Sequence, residues 1–122
     1  MTHDLRMGFE EMDSAHEEFL ELLAELQKME GGINTGLFRE WITKTKQHFA
    51  DEEKLMMKHL YPERETHTGD HEQLIDEMES FYTMITTMPP MAHSFIESYA
   101  YDKFRRHTMF YDLDLAKFLR TL

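Results

Sequence analysis

Seven polar residues stand at positions where the sequence pattern calls for apolar ones, and their spacing is chemically meaningful. His48 and Glu52 are four residues apart, and so are His67 and His71. Four residues on an α-helix turn about 400°, so each pair projects from one face, one turn apart. At that spacing two side chains on one helix can hold one cation or two adjacent ones. His16 interrupts the apolar stripe of an earlier segment, and His107 that of the last, with Asp112 five residues further on. A lone His on such a stripe is usually a core residue satisfied by a carbonyl, and an isolated His/Glu pair is usually a weak surface pair. Burying all seven groups without compensation is costly. Exposing all seven would break the apolar stripe of every segment. A metal ion removes the conflict. Imidazole with carboxylate suits iron, zinc or manganese, and the absence of Cys excludes thiolate sites.

These residues need four rods to carry them. Gly31-Gly32, Tyr61-Pro62 and Met88-Pro89-Pro90-Met91 punctuate the chain. Between the breaks, apolar residues recur at three- and four-residue steps. The first stripe is Met12, His16, Phe19, Leu20, Leu23 and Leu26. The second runs from Phe38 through Trp41, Ile42, Thr45, His48, Phe49 and Glu52 to Leu55 and Met56. The third runs from His67 and His71 through Leu74, Ile75, Met78, Phe81 and Tyr82 to Ile85. The fourth holds Phe95, Tyr99, Phe104, His107, Phe110, Leu115, Phe118 and Leu122. There is no Val and Ile is scarce, which disfavours strands. The expectation is an all-α, up-down-up-down four-helix bundle with a metal site in its core. It forms a single domain over residues 1–122, with residues 1–8 as a lead-in. On a regular helix His107 and Asp112 would point about 140° apart. Their joint use therefore predicts a local π-type turn, a feature that recurs at functional sites.

Composition narrows the partners. The 122 residues carry a net charge of −11, which argues against nucleic acid and anionic membrane surfaces. The longest apolar run is three residues, far short of the about 20 that span a bilayer. The start lacks a basic-then-apolar stretch, so a cytoplasmic location is expected. The 11 Met read as core filler. His3, His59 and His93 read as surface residues. Phe19, Phe49 and Phe104 each lie within one turn of a candidate ligand and are candidate walls of a dry pocket for a bound ligand. Asp13 is a candidate acceptor for a ligand imidazole.

The set Met12-Asp13-Ser14-Ala15-His16, His48-Phe49 with Glu52-Glu53, Tyr61-Pro62, His67-x-x-x-His71 and His107-x-x-x-x-Asp112 resembles the hemerythrins, most of all the bacterial single-domain forms and myohemerythrin. The resemblance runs from about Gly8 to the C-terminus. It implies a cofactor of two non-heme iron ions, oxo- or hydroxo-bridged. One iron would be held by His67, His71 and His107 and the other by His16 and His48, with Glu52 and Asp112 bridging. Two six-coordinate irons so ligated keep one position open, on the iron with two His. The implied function is reversible O2 binding for carriage, storage or sensing, by a non-enzymatic and plausibly monomeric protein. Small anions or NO are further ligands. The alternatives are a diiron oxidase, peroxidase or NO-reducing enzyme, and an iron- or oxygen-sensing module. Diiron enzymes on bundles use Glu-x-x-His motifs, and no His here has Glu three residues before it. Lys103 and Thr108 depart from the family pattern, which often has Trp and Ile there, and the connection from His71 to His107 is longer than in myohemerythrin. These departures bear on the pocket more than on the ligands.

Overall fold

A computed structural model describes residues 10–28 and 33–122. The expected lead-in over residues 1–8, His3 and the Gly31-Gly32 break lie outside the described residues. Three long helices, α1 (Glu10–Gln27), α2 (Thr35–Lys58) and α3 (Arg64–Thr87), precede a segmented fourth rod. That rod is α4 (Pro89–Ser94), a π turn (Phe95–Tyr99), α5 (Ala100–His107), a second π turn (Thr108–Asp112) and α6 (Leu113–Arg120). α2 packs on α1 and α3, α3 packs on the fourth rod, and the first π turn returns to α1. The result is the expected all-α four-helix bundle. Among the described residues no helix is long and apolar enough to cross a membrane.

Local sequence sets the ends. Asn34 caps α2, its side-chain oxygen accepting the Leu37 N–H at 3.0 Å. At the other end the Tyr61 N–H donates to the Met56 carbonyl (2.9 Å) and the Leu60 N–H to the Met57 carbonyl (3.3 Å). This is the paired closure of a Schellman motif. It places Leu60 at φ 51°, a region that glycine normally fills. The break expected over Met88–Met91 contracts to Met88, which closes α3 and opens α4. Pro89 and Pro90 sit in the first turn of α4, where missing N–H groups cost nothing.

The π turns revise the fourth stripe. A π turn bonds i to i+5, so residues five apart share a face. Phe95 and Ala100 are both buried, while Tyr99 is 56% exposed. His107 and Asp112 are both buried, while Phe110 is 70% exposed. Tyr99 and Phe110 therefore leave the core, because the extra residue in each turn rotates them out. Leu122 is exposed as well, beyond the last helical turn.

The core has two apolar clusters. One is built around Phe19, Leu23, Phe38, Trp41, Ile42, Phe95 and Phe104. The other is Met12, Met56, Tyr61, Leu115, Ala116 and Leu119. Along each contributing helix the chemically interesting residues fall between members of the two: His16 between Met12 and Phe19, Glu52 short of Met56, and His107 and Asp112 between Phe104 and Leu115. The bundle thus holds a polar layer between two apolar ones.

Candidate metal centre

Six of the seven expected ligands meet in that layer. His16, Glu52, His67, His71, His107 and Asp112 are each at most 4% exposed. One ligand atom from each of Glu52, His67, His71, His107 and Asp112 lies within 4.8 Å of all the others. His67 Nε2 is 2.9 Å from Asp112 Oδ1 and 3.1 Å from Glu52 Oε1. His71 Nε2 is 3.0 Å from Glu52 Oε1, and His107 Nε2 is 2.9 Å from Asp112 Oδ1. The other oxygen of Asp112, Oδ2, is 2.8 Å from His16 Nε2. Asp112 therefore looks both ways, as a bridging carboxylate must.

These separations fit a cation. Octahedral ligands at about 2.1 Å from an ion are about 3 Å apart along each edge. His107 Nε2 and Asp112 Oδ1 are buried, close, and not aligned for a hydrogen bond with each other or with any other group. Orphaned buried acceptors aimed at one point are the signature of a site that wants a positive ion. The outer nitrogens of two rings settle which face they present. His107 Nδ1 donates to Asp70 Oδ2 at 2.6 Å, and His71 Nδ1 donates to Glu53 Oε2 at 2.9 Å. An imidazole that donates from Nδ1 offers its Nε2 lone pair inward.

Without a metal the cluster holds protons instead. Burial pulls the His107 imidazole down, but the charge and close approach of Asp112 and the hydrogen bond to Asp70 outweigh it, and the group is pushed up to about 10. His16 and His67 are also raised: burial opposes, and the carboxylates Asp112 and Glu52 prevail. Burial pushes Asp112 up, yet the His107 charge and the hydrogen bond from His16, with the nearby His67, hold it well below the usual carboxylate range.

His48 is the one expected ligand that the structure does not bring into the cluster. It lies one turn before Glu52 on α2, 22% exposed, with Nε2 2.6 Å from Glu18 Oε1 on α1. A histidine and an acid on neighbouring helices pair readily, and this contact occupies the nitrogen a metal would use.

The three expected wall residues do converge. Phe19, Phe49 and Phe104 line one small cavity of about 10 Å³, room for about one water-sized body. Phe49 stacks flat on His71, with centroids 3.8 Å apart, and Phe104 meets His16 edge-on at 5.4 Å. The cavity is thus one ring layer from the ligands. Thr108, which follows His107, is fully buried, and its hydroxyl has no partner among the described residues. Asp13 is buried on α1 next to this layer. His59, the C-cap of α2, and His93, in α4, were expected at the surface and are half-buried.

Sequence reasoning missed Glu53, Asp70 and Glu18. Glu53 adjoins Glu52 and Asp70 adjoins His71, so each flanks a ligand in the chain while lying off the apolar stripe. Their available signal was acidity beside a ligand, which is too common on a chain this acidic to single them out.

Neither the comparison with curated proteins nor that with solved structures gives a match. The model of the hemerythrin HHE cation-binding domain matches residues 7–119. With the bundle, the buried histidine–carboxylate layer and that match in agreement, the chain belongs to the hemerythrin HHE cation-binding domain family.

Proposed function

We propose that this chain is a non-heme diiron protein that binds O2 reversibly, for carriage, storage or sensing, and is not an enzyme. The observation that carries the reading is the aromatic cavity one ring layer away from a histidine-rich cation site. His67, His71 and His107, with Glu52 and Asp112, would hold one ion. His16 and the second oxygen of Asp112 would hold the other, and His48 would complete it by leaving Glu18. The two irons, when bound, supply the electrons and the open coordination position that O2 requires.

The chain's own residues do the rest. Asp70 and Glu53 fix the His107 and His71 rings, so little reorganisation accompanies binding. Phe49 and Phe104 keep bulk water from the ligand side, which protects a bound gas from the proton transfers that would make its reduction irreversible. The histidine-rich donor set adds less negative charge than a carboxylate-rich one, which disfavours the high-valent chemistry of an oxidase. Small anions and NO, which resemble O2 in size, are expected to compete for the same position.

The test is metal analysis followed by gas exposure. Two irons per chain are expected, and the reduced protein should form a coloured adduct in air that loses its O2 under vacuum. One zinc per chain would overturn the assignment. Rapid irreversible oxidation with turnover of a reductant would favour the enzyme. His71→Ala should retain helix content while losing iron.

A further inference from the structure

The cavity beside the cluster shares part of its wall with the surface. Besides the three Phe rings, its wall includes Leu74 and Glu77 of α3 and Lys103 of α5. The same three residues also line an open surface groove of about 230 Å³ between α3 and the fourth rod. They are therefore the partition between solvent and cavity. Lys103 Nζ lies 3.0 Å from Glu77 Oε2 and 3.2 Å from Oε1, a two-pronged ion pair across the partition. The two side chains are 30% and 27% exposed, charged ends toward water and stems along the apolar wall. Leu74 forms one part of this partition. The rest is two long side chains, held by an interaction that thermal motion breaks readily.

We propose that the Lys103–Glu77 ion pair is a gate, whose opening admits a neutral diatomic gas from the groove into the cavity and so to the metal centre. The traveller must be small, because the cavity holds about one water-sized body. The route favours a neutral gas, because an anion would have to shed its water against aromatic rings with little polar compensation and so would enter more slowly. The inference rests on the proposed function only for the identity of the gas. The gate itself follows from which residues the groove and the cavity share.

The chain supplies its own reporter. Trp41 is the only Trp, is fully buried and lines the cavity. Collisional shortening of its fluorescence lifetime by dissolved O2 therefore counts gas arrivals. The measurement uses the full chain with its metal in the oxidised, air-stable form, comparing nitrogen- and oxygen-saturated buffer. Lys103→Ala and Glu77→Gln should each raise the quenching rate constant, by up to about five-fold, the factor that corresponds to about 1 kcal/mol for a part-exposed pair. The swap Lys103→Glu with Glu77→Lys should restore slow quenching. Glu79→Gln, which breaks an ion pair with Arg39 off the cavity wall, should leave the rate at the wild-type value. Wild-type quenching in both Lys103→Ala and Glu77→Gln would overturn the gate, as would an equal rise in Glu79→Gln. Because quenching needs no gas bound to metal, the gate can fail while reversible O2 binding stands, and the reverse.

Discussion

Asp70 is not itself among the expected ligands, yet its removal should weaken metal binding. Its Oδ2 accepts the His107 Nδ1 hydrogen at 2.6 Å, while His107 Nε2 faces Asp112. Asp70→Asn keeps the shape and a carbonyl acceptor but removes the charge that makes the imidazole a stronger donor. Loss of such an outer partner costs about 10–100-fold in metal affinity, or about 1.4–2.8 kcal/mol. Asp70 is 23% exposed, so water screens part of its field and the expected effect is at the lower end, about ten-fold. Glu53 makes the equivalent contact to His71 but is longer, at 2.9 Å, and 38% exposed, so Glu53→Gln should cost less than Asp70→Asn. Competition with a chelator of known affinity measures both, with helix content followed by circular dichroism. Affinity unchanged within two-fold in Asp70→Asn, at full helix content, would refute the argument. A larger effect in Glu53→Gln would refute its ordering.

Metal loading of the metal-free protein at pH 7 should release at least one proton per chain, because His107 is pushed up to about 10 and must be neutral to bind a metal; no acidification of a weakly buffered solution would contradict this. Leu60→Gly should stabilise the fold by about 1 kcal/mol, since leucine at φ 51° carries a left-handed penalty of about 1–2 kcal/mol and the side chain is largely exposed; a lower melting temperature in the variant would count against it. The Glu79 carboxyl is held below its usual range, first by the hydrogen bond from Lys46 and then by the Arg39 charge, with partial burial opposing. Its folded pKa being depressed, its stabilisation is present above the unfolded value of about 4.3 and is lost as pH falls through the lowered folded value. Glu79→Gln should therefore cost about 0.5 kcal/mol at pH 7 and nothing in strong acid, by denaturant titration at the two pH values.

Residue chemistry and its period were legible in one dimension. The apolar stripes of α1, α2 and α3 follow from spacing, because helical geometry converts a three-and-four repeat into a buried face. The polar intruders on those stripes announced a site, because burying His16, Glu52, His67 and His71 makes sense only if something compensates them. The turn at Thr108–Asp112 was legible for the same reason, since His107 and Asp112 cannot share a face on a regular helix. The turn at Phe95–Tyr99 was not: no polar pair marks it, so Tyr99 was assigned to the core that the turn rotates it out of. What meets across the gaps between helices was decided by tertiary packing alone. Glu18 beside His48, Asp70 behind His107, and the cavity wall shared by Lys103 and Glu77 each join residues of different helices. A period along one helix says which face turns inward. It carries no information about which side chain of a neighbouring helix will be waiting there.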